Sequence, residues 1–339
     1  MTMRRAATIE DVAQAAGVSR QTVSNVLNAP HVVRETTRER VKAAIIELGY
    51  SPHASARRLR TQRSSTIGIH LDPYAGGISG VVLDRFVHAL TERAGERRQR
   101  VLVYAARTPE DEIARIAELA DGGDIDAVVI TGTFHGDRRT GWLSERDLPF
   151  VSFGRPWGID DIDDPAHLWV DVDGAAGTRA ATEHAMDQVG PRVGFLGWPS
   201  GSGTGDDRER GWREARELLP HAPRLIAEES VASGRAAVEA ALHAGGFDAL
   251  VCASDALAIG AHLALTAARR YDMPIIGFDN TPAAEALGIS SVEQLPEKVA
   301  EGALELLMGE RTAISPRSAA PGRAHVLVEP RLVVRRPPV

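Results

Sequence analysis

A single cysteine, Cys252, stands in a chain of 339 residues. It excludes an internal disulfide, and no Cys/His spacing resembles a zinc site. That usage suits the reducing cytoplasm. No uninterrupted apolar stretch follows Met1-Thr2-Met3-Arg4-Arg5, so a secretory signal is not expected. The most apolar long segment, Ala249 to Ala268, carries Asp255 and His262 in its middle, which argues against a membrane span and for a buried strand followed by a helix. The run Gly201-Ser202-Gly203-Thr204-Gly205 lacks the lysine and spacing of a phosphate-binding loop and reads as a cleft loop. No serine has a histidine and acid partner at recognisable spacing, so an enzyme is not expected, nor is a metal or cofactor.

The composition that remains, 43% hydrophobic and 25% charged, is that of a globular protein large enough for more than one core. The net charge of -7 hides an asymmetry. Through Ser65 there are 11 Lys/Arg against five Asp/Glu, a net of +6, which leaves -13 for the remainder. A basic head on an acidic body points to a polyanion as partner of the head alone.

Thr8 to Gly49 reads as three short helices. Thr8 and Asp11 have capping-box spacing, with Ile9, Val12, Ala13 and Ala16 as the apolar stripe of the first helix, which Gly17 ends. Ser19 caps a second helix, Arg20 to Leu27, with Val23, Val26 and Leu27 inward and Arg20, Gln21, Ser24, Asn25 and Asn28 outward. A third, Glu35 to Leu48, places Val41, Ala44, Ile45 and Leu48 at helical spacing. Two helices about a tight turn, the second polar outside, form a helix-turn-helix whose second member lies in the major groove. There Arg20 can pair with guanine, Gln21 and Asn25 with adenine, and the hydroxyls of Ser19, Thr22 and Ser24 can hold phosphates.

After Ser65 short β-branched runs (Thr66–Ile69, Val101–Tyr104, Ala127–Ile130, Phe150–Phe153, Val193–Leu196, Ala249–Cys252, Ile275–Phe278) alternate with helix-length segments (Val81–Arg93, Ile113–Ala120, Ala175–Met186, Glu209–Leu219, Ala256–Ala267). This repetition predicts parallel sheets with helices on both faces, in two lobes about a cleft, the loop Gly154 to His167 marking the boundary between them. The fold class is thus a small all-α head on a two-lobed α/β body, with boundaries at 1–52 for the head, 53–64 for a linker and 65–339 for the body.

Residue by residue, Thr8 through Asn28 resembles the head of the lactose-repressor/galactose-repressor family, and the likeness continues through Thr37-Arg38-Glu39-Arg40-Val41 and Leu48-Gly49-Tyr50-Ser51-Pro52. The resemblance implies a bacterial transcriptional regulator binding double-stranded DNA, a palindromic operator, as a homodimer. It adds Thr8, Tyr50 and Ala56 to the DNA contacts, and likens His53 to Arg60 to a hinge helix whose Leu59 wedges into the minor groove. Asn25 stands where arginine is frequent, and His53 where asparagine is usual. The chain shows no leucine heptads after its core, so a tetramerising tail is not expected.

The body resembles a periplasmic-binding-protein-like domain, which implies a small-molecule effector, a carbohydrate, between the lobes. Arg208 in Arg208-Glu209-Arg210-Gly211-Trp212 matches the family's ligand-clamping arginine, and Asp279 its ligand-binding acid. Asp72, Arg155, Ser254 and Asp255 complete the polar candidates; Ser254-Asp255 stands where Asn-Asp is usual, and Asp279-Asn280 where Asp-Asp is usual. Asp173 and Asp255 each precede a helix and can equally serve as caps. Trp157, Trp169, Trp198 and Phe278 are candidate stacking faces, each with a core or dimer-interface role as the alternative. A regulator of a non-sugar metabolite, an activator, and a transported-solute binder are the alternatives; the basic head and absent export signal oppose the last.

Overall fold

The computed structural model describes residues 7–50, 63–71, 80–157, 162–215, 222–309 and 324–335. Contacts divide the chain into two compact units, with the break between Ser64 and Ser65.

The first unit is three helices, α1 (Ile9–Ala16), α2 (Arg20–Asn28) and α3 (Glu35–Leu48), with a 3₁₀ turn at Pro30–Val32. The capping box forms as its spacing predicts: Thr8 Oγ1 accepts from the Asp11 amide (3.3 Å) and Asp11 accepts from the Thr8 amide (2.8 Å). Gly17 ends α1 at φ +60°, a left-handed conformation that favours glycine, and Ser19 caps α2. Val12, Ala13, Ala16, Val23, Val26, Val41 and Ala44 make the core. Leu27 and Leu48, expected inward, are each 38% exposed. A core built from three short helices is too small to cover residues at its margin.

The second unit contains two six-stranded sheets. The first has the order β11 (His325–Val328), β5 (Trp169–Val172), β4 (Phe150–Phe153), β3 (Ala127–Thr131), β1 (Thr66–Leu71), β2 (Arg100–Ala105). The second has β12 (Arg331–Val333), β10 (Ser290–Glu293), β9 (Ile275–Phe278), β8 (Ala249–Cys252), β6 (Val193–Gly197), β7 (Arg224–Ile226). All seven expected strands are present. The expectation of purely parallel sheets needs one correction: β12 runs antiparallel to β10. The chain passes in two residues from the carboxyl end of β11 in the first sheet to β12 in the second, so β12 enters its sheet from the carboxyl edge and runs against its neighbour.

The lobe boundary also differs from the expectation. The loop Gly154 to His167 does not leave the first sheet, because β5 pairs parallel with both β4 and β11. The chain first crosses after Val172, where helix Gly174–Val189 packs on the second sheet; it returns between Glu293 and Pro296 and crosses again between Val328 and Arg331. Each sheet has its own core, Phe86, Leu90, Val129, Val151 and Leu304 in the first and Phe195, Leu250, Leu257, Ile276 and Trp212 in the second.

Helices Gly174–Val189 and Thr204–Ala215 cross so closely at Gly211 that a Cβ there would lie 2.0 Å from the Ala175 carbonyl oxygen. Backbone cannot yield as a flexible side chain does. Gly211→Ala is therefore expected to destabilise the second unit by about 1–3 kcal/mol, read as a lower midpoint in denaturant titration.

Candidate functional site

On the head, α2 presents Arg20, Gln21 and Asn28 exposed, with Thr22, Ser24 and Asn25 half-buried beside them. The Gln21 side-chain amide donates to Asn25 Oδ1 (3.0 Å), and Asn28 donates to the Ser24 carbonyl (2.7 Å). Arg20 Nε lies 2.9 Å from Glu10 Oε1, a residue of α1. Thr8 and Ser19, expected to touch DNA, are engaged first as helix caps, Ser19 Oγ also sharing a hydrogen bond with Thr22 Oγ1 (2.9 Å). Tyr50 packs against the head core, and burial together with the Glu10 charge raises its pKa. Ala56 and Leu59 lie outside the described residues. The surface that remains is a row of side-chain donors and acceptors along one helix, the arrangement that reads base edges.

Between the two sheets lies a cavity of about 220 Å³. Its walls come from the carboxyl ends of strands: Thr131, Gly132 and Thr133 after β3, Arg155 after β4, Asp171 and Gly174 at β5, Phe278 at β9 and Gln294 after β10. Ligands of open α/β sheets bind at such ends, where strand order reverses.

Two arginines dominate it. Arg208 is 5% exposed, its guanidinium carbon 3.8 Å above the Phe278 ring and 5.4 Å from the Trp198 ring. It donates to the Ala253 carbonyl (2.5 Å) and lies 3.6 Å from Asp279 Oδ1. Its Nε is buried with no hydrogen-bond partner among the described residues, as is Nε1 of Trp157 in the same cavity wall. Arg155 is held by two carboxylates instead: Nε donates to Asp171 (2.7 Å) and Nη2 to Asp207 (2.7 Å), while its guanidinium stacks on Trp157 (4.6 Å). Burial opposes the Arg155 charge, but the two carboxylates outweigh it and raise its pKa. Asp207 belongs to helix Thr204–Ala215, so this pair joins the two lobes. Trp157 adds a second link, since a Cβ on Gly203 would fall 2.5 Å from its ring.

Asp279 and Asn280 both have positive φ, +111° and +50°. For non-glycine residues such conformations cost about 1–3 kcal/mol each and persist where surroundings enforce them; here the Asp279 amide donates to the Val292 carbonyl (2.8 Å) and the Asn280 amide to Ser291 Oγ (2.9 Å). Gln294 donates to Asp279 Oδ1 (2.6 Å). Behind β3, the buried Arg139 donates to the carbonyls of Thr131 (3.1 Å) and Gly132 (3.2 Å), its charge met by Glu112 (2.7 Å) and Asp137 (2.6 Å).

The structure thus brings Arg155, Arg208, Phe278, Asp279 and Trp198 together. Asp72 lies outside the described residues. Ser254 caps helix Asp255–Ala267 and donates to Glu229 (2.7 Å), which also accepts from Trp198 Nε1 (2.5 Å). Asp255 is corrected from ligand candidate to packing hub: fully buried, it accepts from the Thr281 amide (2.7 Å), Thr281 Oγ1 (2.8 Å) and Ser291 Oγ (2.6 Å), leaving no open face for a ligand. Asp173 caps its helix. Trp169 stacks on His325 (4.7 Å) and is not part of the cavity wall. Asp171, Asp207, Gln294 and Glu229 escaped the sequence reading; Asp207 alone had a signal, its place beside Arg208.

A base-reading helical head and a separate ligand-holding α/β body define a DNA-binding transcriptional regulator under effector control. Residues 8–53 match the bacterial regulatory proteins of the lacI family, and residues 182–336 the periplasmic binding protein-like domain. The HTH-type transcriptional regulator CelR of Thermobifida fusca is 31% identical over 332 residues, 92% of this chain and 94% of that protein. A solved transcriptional regulator CelR–cellobiose complex has a TM-score of 0.66 at 26% identity, covering 97% of this chain and 99% of the other. The lac repressor dimer bound to operator shares the fold, with a TM-score of 0.76 at 24% identity over 98% of each chain. The chain belongs to the lacI family of bacterial regulatory proteins. Among the described residues no helix is long and apolar enough to cross a membrane.

Burial pushes the Asp279 carboxyl up to about 7, against the opposing pull of Arg208. A carboxyl with a folded pKa above its unfolded value holds its proton more tightly in the native state. It favours the fold at low pH, and that advantage is lost as pH rises from about 4 through about 7. Asp279→Asn removes the titration, so wild-type stability is expected to fall relative to the variant as pH rises from about 4 to about 7, read by denaturant titrations across that range.

Proposed function

We propose that the chain is a cytoplasmic repressor that binds a roughly palindromic operator as a homodimer, and that an uncharged sugar in the interlobe cavity sets its affinity. The head, linker and body of this reading are residues 1–52, 53–64 and 65–339. The observation that carries it is the pairing pattern of the cavity. Arg155 already has two carboxylates, whereas Arg208 Nε and Trp157 Nε1 are buried donors without acceptors among the described residues. A buried donor left unpaired costs about 1–3 kcal/mol, so a ligand rich in neutral oxygen acceptors gains where an anion would meet Asp171 and Asp207. Phe278 lines the cavity beneath the Arg208 guanidinium and supports the arginine that would meet a sugar's hydroxyls. The volume lies under the roughly 300–1,000 Å³ usual for drug-sized ligands, which favours a compact one.

Dimerisation is supported by the sheet margins: β2 and β7 are edge strands with exposed Val103 and Ile226, and bare edges of this kind are normally covered. A short helix-turn-helix footprint needs two copies to specify a site. Family likeness to a regulator solved with cellobiose agrees with the sugar reading.

The test is a thermal-shift panel of neutral mono- and disaccharides, the matching sugar phosphates and uronates, and purines, followed by operator anisotropy with each hit. A neutral sugar at 100 times its Kd is expected to stabilise by about 2.7 kcal/mol and to change operator affinity. Arg208→Lys, which keeps the charge but loses Nε and the planar stack, is expected to abolish the shift. A response confined to anions or purines overturns the sugar assignment.

A further inference from the structure

We propose that Glu10 is a specificity-determining residue of the DNA-reading surface, which holds Arg20 through Nε and so presents the terminal nitrogens of that guanidinium as a two-pronged donor to guanine. Glu10 sits on α1 and Arg20 opens α2, and their side chains meet at 2.9 Å while both remain more than half exposed. Exposure makes the pair nearly worthless for folding, since solvent-facing ion pairs contribute little. Its value must be sought elsewhere.

A carboxylate on this surface runs against the electrostatics of a head carrying +6, because approaching phosphates repel it. Before Glu35 the head has two acids, and Asp11 is engaged in the capping box. Glu10 makes no such cap. Arginine reads guanine through two parallel hydrogen bonds to O6 and N7. With Nε occupied by Glu10, the two terminal nitrogens form the remaining fork, and the rotamer freedom that a long exposed side chain loses on binding is partly removed beforehand. The neighbouring readers are ordered in the same manner, Gln21 by its bond to Asn25. Tyr50 also feels the Glu10 charge. A helix-dipole role for Glu10, in the first turn of α1, is the rival explanation; it predicts a change in stability and none in base preference.

The experiment selects bound duplexes from random DNA with full-length wild type, Arg20→Ala, Glu10→Ala and the double variant. Anisotropy then compares the selected site with one carrying adenine for the guanine whose preference Arg20→Ala erases. Glu10→Ala is expected to lower the guanine-to-adenine discrimination roughly three- to tenfold, part of what a bidentate pair supplies, while affinity for random duplex rises through loss of a negative charge. In the Arg20→Ala background Glu10→Ala is expected to leave the ratio unchanged. An unchanged ratio in the single variant, an equal change in both backgrounds, or no guanine preference erased by Arg20→Ala overturns the proposal. A wild-type chain that selects no duplex at all overturns the DNA-reading assignment itself, whereas the ligand and repressor readings have no part in the outcome.

Discussion

The ion bridge from Arg155 to Asp207 is the constraint on which the body's chemistry depends. It joins strand-end geometry in one lobe to a helix in the other, and Asp171 holds the arginine from behind. Removing one partner from a buried pair typically costs about 3–5 kcal/mol, mostly through the charge left stranded. The bridge therefore fixes two properties together. It draws the sheets toward each other around the cavity, and it engages with carboxylates one of the two cavity arginines that would otherwise welcome a phosphate or carboxylate.

Around that bridge the cavity is held by parts that touch no ligand space. Arg139 grips the carbonyls of Thr131 and Gly132, so the end of β3 cannot drift while Glu112 and Asp137 balance the charge. Asp255 ties the turn after β9 to β10 and thereby enforces the left-handed backbone at Asp279 and Asn280. Asparagine tolerates that conformation better than most residues, which gives a backbone reason for Asn280. Rigid supports of this kind let Arg208 remain buried with a donor unpaired, a state a looser wall would relieve by collapse.

Much of the fold was legible in the sequence because its signals are local. Capping residues at Thr8 and Ser19, the glycine at position 17 and seven strongly β-branched runs each announce themselves within a few residues. What escaped was defined by distant partners. Strand β5 contains a tryptophan and an aspartate, β10 two serines and a glutamate, and neither looks apolar enough to be central; β5 takes its place between β4 and the sequence-distant β11, and β10 between β9 and the antiparallel β12. For the same reason Arg208 and Asp279 were recognisable and Asp171, Asp207 and Gln294 were not. A helix cap and a ligand contact look alike in one dimension, which is why Asp255 was misplaced: only the positions of Thr281 and Ser291 show that its oxygens are already engaged.

The three chain crossings between the lobes follow β5, β10 and β11, which with β12 gather along a single margin of the paired sheets. Such a layout behaves as the spine of a book. Any opening must pivot there, so for a given angle the opposite margin, where β2 and β7 carry Val103 and Ile226, sweeps the longest arc and converts a small change at the cavity into the largest displacement the body can make.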